Sequence, residues 1–218
     1  YRNIPFELIA KPADIAKMEE QFINLDKAVD CFEFWFGPYR FERVGYVATT
    51  VGAMEHPTNV AYPISSVLGS SLNQNERLFA HELGHHWWGD ITTLDDARDM
   101  WIKEGTAEYS SHLFQEYVYG KDNFTKTVKG NLVDIIKNAV RNDGAFLPLS
   151  PMPYSTTYGT HTYRKGAAML HNLRAYLGDS LFRKTCTMVF DSLYGKSMNA
   201  YEFRDFLSVH SGINLDNY

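Results

Sequence analysis

The chain has 218 residues, of which 44% are hydrophobic, 15% aromatic and 22% charged, and its formal net charge is −5. A globular chain of this length and composition can bury a stable core without disulfides or structural metals. Its negative net charge and the lack of a basic block argue against nucleic acid as a partner. No apolar run approaches the roughly 20 residues that span a bilayer, and residues 1–10 lack the pattern of a signal peptide. We therefore expect a soluble chain with no targeting or transmembrane segment, either cytoplasmic or periplasmic and secreted.

The predicted elements become almost wholly helical along the chain. Apolar residues at helical spacing predict one helix over residues 14–36, and β-branched and aromatic residues predict a strand over 43–51. Beyond these, the pattern predicts helices over residues 75–89, 102–119, 122–141, 162–177, 179–194 and 199–210. Three glycines are expected at helix ends: Gly120, Gly178 and Gly195. The predicted fold class is α+β and mainly helical, with a small β-containing part over 1–70 and a helical part over 71–218.

Two further features leave alternatives open. Residues 142–160 form the longest irregular segment, and long connections of this kind often form the lip or lid of a site, although some are only connectors. Cys31 and Cys186 lie far apart and fit no metal-ligand spacing. We expect two buried free thiols, while a disulfide between them stays open.

The strongest chemical motif is His-Glu-Leu-Gly-His over residues 81–85, the pattern H-E-x-x-H. On a helix, side chains at i and i+4 lie on one face, so His81 and His85 can point at the same metal ion. Glu82 lies beside them, where it can take a proton from a water activated by the metal. A buried helix whose two histidines only pack in the core, without binding a metal, would show the same sequence pattern. The pattern favours one Zn²⁺ per chain, and a catalytic zinc needs a third protein ligand.

A second segment supplies a candidate for that ligand. Eighteen residues separate His85 from Glu104, which lies in the pattern W-x-x-E-G. This spacing resembles the aminopeptidase N and leukotriene-hydrolase family of zinc peptidases, a branch of the gluzincins, and the resemblance implies that Glu104 is the third zinc ligand. Glu108, one turn further along the same face, either orients a ligand or is a solvated helix charge, and Asp99 is another candidate for orienting a ligand.

Residues 52–56, Gly-Ala-Met-Glu-His, resemble the G-x-M-E-N motif of the same family, which lies on an edge strand along the cleft. The resemblance implies that Glu55 binds the free ammonium of the substrate. Gly52, followed by Ala53 and Met54, would admit a peptide backbone along this edge. His56 stands where the family usually has Asn, which predicts a changed contact. Without the zinc motif, Glu55 would be interpreted as an ordinary surface carboxylate.

A third segment, residues 163–166, matches the family element Y-x-K-G. The resemblance implies that the Tyr163 hydroxyl donates to the oxyanion of the tetrahedral intermediate, and that Tyr158 corresponds to a second family tyrosine. Ser155 stands where leukotriene-epoxide hydrolases keep an acidic residue, which argues against epoxide hydrolysis. The other histidines are expected to be structural, with a substrate contact left open for His161; they are His86, His112, His161, His171 and His210.

Taken together, the resemblance implies a thermolysin-like metallopeptidase catalytic domain, with a small N-terminal sheet packed on a helical bundle. Residues 1–218 would be one such domain of a larger enzyme, whose N- and C-terminal domains lie outside this chain. The implied activity is zinc-dependent removal of N-terminal residues from peptides with a free N-terminus. Two alternatives stay open: a thermolysin-like endopeptidase, and a catalytically silent interaction scaffold of the same fold.

Overall fold

The computed structural model describes residues 1–217. Its main sheet has three parallel strands in the order β1-β2-β3. They are β1 (Phe6–Ile9), β2 (Val44–Thr49) and β3 (Val60–Pro63). Beyond β3 the backbone of Met54 exchanges two hydrogen bonds of 2.9 Å with Ala61, as an antiparallel bridge. The sheet is therefore parallel in its body and antiparallel at this bridge.

Helices make up most of the remaining chain. They are α1 (Ile15–Gln21), α2 (Leu25–Phe36), α3 (Ile64–Val67), α4 (Leu72–His85), α5 (Trp101–Asp134), α6 (Val140–Asp143), α7 (Gly166–Leu177), α8 (Asp179–Ser192) and α9 (Ala200–Ser211). A short parallel pair joins β4 (Thr93–Leu94) to β5 (Ser197–Met198). Within residues 1–217, no helix combines the length and the apolar character needed to cross a membrane. The α+β, mainly helical fold class is confirmed.

The sheet docks on α4 through two buried tyrosines. Tyr46 of β2 donates its hydroxyl hydrogen to the carbonyl oxygen of Phe79 at 2.8 Å, and Tyr62 of β3 donates to Asn75. Both tyrosines are fully buried. Because a buried hydroxyl must find a partner, these bonds fix α4 against the sheet as well as filling the core.

The single helix predicted over residues 14–36 is wrong, because α1 and α2 are separated at residues 22–24. The ring of Phe22 packs between the two sheet tyrosines and Phe79, with centroids 4.8 to 5.1 Å apart. Asn24 donates to the buried carboxylate of Glu76 at 2.5 Å. These long-range contacts outweigh the helical spacing, which is a local preference. Strands β1 and β3, each four residues long, were not predicted.

The later helices follow the prediction more closely, with local differences. The two helices predicted around Gly120 form α5, which is broken at that residue where φ is +80°. The second part passes through a π-helical segment, Ile135–Ala139, before α6. Gly178 does end α7, with φ at +77°. Gly195 does not end α8, which stops at Ser192 with Leu193 as its cap.

Two glycines allow the three helical segments of the site to approach closely. A Cβ on Gly84 of α4 would lie 2.8 Å from the Cβ of Ser110 on α5. A Cβ on Gly105 of α5 would lie 2.7 Å from the Cα of Gly166, at the start of α7. Since real side chains do not pack at such distances, both positions require glycine. The contacts hold α4, α5 and the segment before α7 together.

The two cysteines are free and buried, and burial raises the pKa of each thiol. The prediction of two buried free thiols is confirmed, and the disulfide is not formed. Their burial in the core makes them packing residues.

Candidate metal and peptide site

Three side chains from α4 and α5 converge on one point. The Nε2 atoms of His81 and His85 are 3.1 Å apart. One carboxylate oxygen of Glu104 lies 3.4 Å from the first nitrogen and 3.2 Å from the second. All three side chains are buried. Four residues make one helical turn, so α4 presents both imidazoles to the oxygen that α5 brings from the other side.

This cluster fits a zinc ion in its donor atoms and in its spacing. Zinc takes nitrogen and oxygen ligands at about 2.0–2.1 Å, which places the donors of a tetrahedral site about 3.3 Å from one another. The three observed distances lie close to that value. Burial alone would lower the pKa of His81, but its hydrogen bonds to Glu104 and Glu108 raise that pKa to about 10. The surroundings therefore stabilise positive charge at this point.

Two further contacts orient the histidines. The second oxygen of Glu108 lies 3.5 Å from Nδ1 of His81, and Nδ1 of His85 lies 3.0 Å from the carbonyl oxygen of Trp88. Such contacts fix the ring orientation of a metal-ligating histidine. Glu108 is buried beside His81 and is not a solvated helix charge.

Asp99 is not part of this arrangement, contrary to the expectation from the sequence. One of its oxygens accepts from the hydroxyl of Ser150, and the other accepts from the backbone N–H of Ala200 at 3.0 Å. The residue therefore ties the irregular segment to the first turn of α9. Both its acceptor oxygens are used away from the histidines.

Glu82 and Glu55 form a second acidic group next to His85. One atom of each of these three side chains lies within 4.8 Å of the other two, and all three residues are buried. Burial raises the pKa of Glu82, although the neighbouring histidines oppose the shift. A carboxylate whose pKa is raised towards neutrality is suited to accept and return a proton.

Glu55 also forms an ion pair with Lys103, the residue directly before Glu104. Burial alone would raise the pKa of Glu55, but the charges of His85 and Lys103 lower it. Burial would lower the pKa of Lys103, and the ion pair raises it. Both groups are therefore charged. No sequence motif predicted this pair, although Lys103 lies inside the W-x-x-E-G segment.

The other residues of the 52–56 segment line an open edge. Ala53 is partly buried, and Met54 is bridged to the sheet by its backbone alone, with 42% of its side chain exposed. Space around Gly52 is open, since a Cβ there would meet no atom within 4 Å. His56 is exposed, and its imidazole makes no hydrogen bond with residues 1–217. The changed contact expected of His56 would be made with a substrate, and it stays a prediction.

Tyr163 lies against the candidate metal cluster of His81, His85 and Glu104. Its ring stacks on the His81 imidazole with centroids 5.9 Å apart. Burial, followed by the charge of Glu104 and a hydrogen bond to it, raises the pKa of Tyr163. The hydroxyl therefore stays protonated and can donate. Tyr158 is 63% exposed, and its charge contributes to the raised pKa of Tyr163.

Asp143 positions the segment that carries Tyr163, and no sequence motif pointed to this residue. Its carboxylate accepts from the backbone N–H groups of Thr160 and His161 at 2.9 and 2.8 Å, and from Nδ1 of His161 at 2.6 Å. These bonds satisfy donors at the start of the π-helical segment His161–Lys165. His161 is fully buried and accepts from the N–H of Leu147, so it is a structural residue.

Two histidines four residues apart on a helix, a carboxylate from the next helix and an adjacent glutamate define a site of the metallopeptidase class. The chain belongs to peptidase family M1, because the Peptidase family M1 domain matches residues 17–218. The resemblance inferred from its motifs is thereby confirmed.

Individual relatives agree with this assignment. Aminopeptidase N of rabbit, Oryctolagus cuniculus, is 29% identical over 203 residues, which are 84% of this chain and 21% of that enzyme. An M1 zinc metallopeptidase from Deinococcus radiodurans has a crystal structure that matches 86% of this chain and 40% of its own, at 24% identity and a TM-score of 0.74. Native leukotriene A4 hydrolase from Saccharomyces cerevisiae matches 94% of this chain and 35% of its own, at 19% identity and a TM-score of 0.80. The chain thus spans about a fifth of the length of the rabbit relative.

Proposed function

We propose that this chain is the catalytic domain of a zinc-dependent aminopeptidase, which hydrolyses the first peptide bond of peptides with a free N-terminus. The observation that carries the proposal is the position of Glu55. Its buried carboxylate is grouped with Glu82 and His85, within 4.8 Å. A carboxylate at this distance can bind an ammonium one residue away from the bond that reacts, and a buried ammonium requires such a partner.

One zinc ion per chain would be held by His81, His85 and Glu104. When bound, zinc supplies Lewis-acid catalysis, which polarises the scissile carbonyl and makes water a better nucleophile. Glu82 takes the proton of the attacking water and returns it to the leaving amine, and general acid–base transfer of this kind contributes roughly 10²–10⁴-fold. Tyr163 donates its hydroxyl hydrogen to the developing oxyanion, which is worth about 3–4 kcal/mol of the barrier. No covalent bond to the protein is needed.

The ion pair with Lys103 is compatible with binding of a substrate amine at Glu55. A carboxylate has two oxygens, and Lys103 contacts the first of them, Oε1. The substrate ammonium would share the carboxylate with the lysine. Lys103 then orients the Glu55 carboxylate, and it also competes with the substrate ammonium for the negative charge of that carboxylate.

The two alternatives predict different behaviour. A thermolysin-like endopeptidase would use the same zinc chemistry without an amine anchor, and the buried Glu55 argues against it. An interaction scaffold has no need of a buried base, and Glu82 with its raised pKa argues against that reading.

A paired-substrate assay tests the proposal. The zinc-loaded chain is given alanine p-nitroanilide with a free amine and the same compound with an N-acetyl group. Cleavage of the free amine alone is the expected result. Equal cleavage of both compounds would replace the aminopeptidase by an endopeptidase, and cleavage of neither by the 218-residue chain with zinc bound would favour the scaffold.

A further inference from the structure

Two arginines lie in a cavity next to the metal cluster, and Glu55 is not among the residues that line it. Arg77 and Arg164 line a cavity of about 500 Å³, together with His81, Glu82 and Tyr163. Glu55, in contrast, is grouped with His85. The two histidines are one helical turn apart, about 5.4 Å. The cavity therefore adjoins His81 and the amine anchor adjoins His85, and Glu82 lies next to both.

The arginines have hydrogen-bond donors that their partners among residues 1–217 do not use. Arg77 donates to Oε1 of Glu108 at 3.2 Å, and Arg164 donates to the same oxygen. Arg164 also lies 3.2 Å from Asp134. The Nε–H of Arg77 is buried and has no hydrogen-bond partner within residues 1–217. A guanidinium has five N–H donors in a fork that matches a carboxylate, so Arg77 keeps unused donors beside the site.

The distance from the reacting bond to Arg77 suits a short peptide. Oε2 of Glu108 lies 3.5 Å from Nδ1 of His81, and Oε1 lies 3.2 Å from Arg77. With the widths of the carboxylate and imidazole included, the guanidinium lies within about 11 Å of Nε2 of His81. An extended peptide advances about 3.5 Å per residue, so a leaving fragment of one to three residues covers this distance.

We propose that Arg77 and Arg164 form a subsite that binds a carboxylate of the leaving part of the peptide. The direction of the bound peptide, with its amine at Glu55, rests on the proposed function. The carboxylate is either the C-terminus of a short peptide or an acidic side chain in the leaving part. Substrates with such a group bind more tightly than neutral ones of the same length.

Binding measurements on the Glu82→Gln variant, in which turnover is expected to be slowed, test the subsite apart from catalysis. Calorimetry on the zinc-loaded variant compares three ligands: Ala-Ala-Ala as the free acid, Ala-Ala-Ala as the C-terminal amide, and Ala-Asp-Ala as the C-terminal amide. The free acid is expected to bind about 10- to 100-fold more tightly than the neutral amide, the range for a hydrogen bond to a charged group. Tight binding of the Asp peptide amide would assign the carboxylate to a side chain, and tight binding of the free acid alone would assign it to the C-terminus.

Adding Arg77→Met is expected to bring the ratio between charged and neutral ligands close to one. The ratio cancels any change that the substitution causes at His81 through Glu108. Lys126→Met is the matched control, because exposed Lys126 lines the neighbouring cavity with Arg77 but not this one. It removes the same charge and should keep the preference. Arg77→Lys should keep part of it, since a lysine retains charge without the fork.

The outcomes separate the subsite from the proposed function. Equal binding of charged and neutral ligands, or a preference that survives Arg77→Met, would overturn the subsite even if alanine p-nitroanilide is cleaved. A preference that depends on Arg77, together with no cleavage of the anilide by the chain that retains Glu82, would sustain the subsite and reject the aminopeptidase.

Discussion

Glu55 forms an ion pair with Lys103, and the proposed substrate amine would bind the same carboxylate. Removing the lysine charge therefore tests whether Glu55 binds the substrate amine. We predict that Lys103→Met lowers the KM for substrates with a free amine and lowers the thermal stability of the ligand-free chain. The lysine ammonium and a substrate ammonium would contact the same carboxylate, and like charges about 4 Å apart repel by up to about 4 kcal/mol at an effective dielectric constant of 20. Solvent reduces this value, because 18% of the Lys103 side chain is exposed. A gain of about 1.4 kcal/mol, or tenfold in KM, is the expected size.

The loss of stability follows from the same burial. Only 8% of the Glu55 side chain is exposed, so Lys103→Met leaves a buried carboxylate without its partner. Breaking a buried pair in this way costs about 3–5 kcal/mol, and we expect the lower end because the lysine is partly exposed. For a chain of this size each kcal/mol shifts the melting temperature by roughly 2–4 °C, so a decrease of roughly 6–12 °C is expected. Alaninamide, whose ammonium replaces the lysine, should restore part of it.

Steady-state kinetics on alanine p-nitroanilide, with Glu55→Gln measured in both backgrounds, form the assay. In a double-mutant cycle the effect of Lys103→Met on KM should vanish once Glu55 is neutral. A KM that is unchanged or raised in a folded Lys103→Met protein would refute the reasoning, because the lysine would then help to bind the substrate. A KM that falls equally in the Glu55→Gln background would place the competition elsewhere.

Four further substitutions test the two proposed catalytic groups and two residues that hold the site in place. Glu82→Gln should retain zinc by elemental analysis and lower kcat by roughly 10²–10⁴-fold, and full activity would exclude Glu82 as the base. Tyr163→Phe should lower kcat by about 10²–10³-fold with little change in KM, and an equal effect on KM would mean that the hydroxyl binds the ground state. Gly105→Ala should destabilise the chain by about 1–3 kcal/mol in denaturant unfolding, because its Cβ would overlap Gly166, and an unchanged midpoint would contradict that contact. Burial would raise the pKa of Asp143, but its hydrogen bonds to residues 160 and 161 outweigh burial and lower that pKa. The stabilisation from Asp143 is therefore present above the ordinary carboxylate pKa, and it is lost as the pH falls through the pKa of the folded state. Asp143→Asn should therefore reduce the difference in melting temperature between pH 7 and pH 3, and an unchanged difference would contradict the linkage.

The sequence was informative where function requires a short, local pattern. H-E-x-x-H needs a single helical turn, and the structure has α4 ending at His85, so the histidines converge as the spacing predicts. The break at Gly120 was also predictable, because only glycine adopts its φ of +80° without strain. In both cases the physical cause lies within a few neighbouring residues.

The features that were missed depend on contacts between distant segments. The break between α1 and α2 follows from the packing of Phe22 on the sheet and on α4, which no helical periodicity contains. Asp99 has the right residue type to orient a ligand, but its partners come from residues 150 and 200. Arg77 could have been found, since it lies four residues before His81 and so on the same face of α4.

The charges around the metal cluster have an order that matches a short peptide. On the His85 side, Glu55 presents a carboxylate that pairs with Lys103. On the His81 side, Arg77 and Arg164 share one oxygen of Glu108, and the Nε–H of Arg77 has no hydrogen-bond partner among residues 1–217. A dipeptide or tripeptide at neutral pH carries a positive amine at one end and a negative carboxylate at the other. The arrangement favours such a zwitterion bound in one direction only, because the reverse orientation would place each end against a group of its own sign.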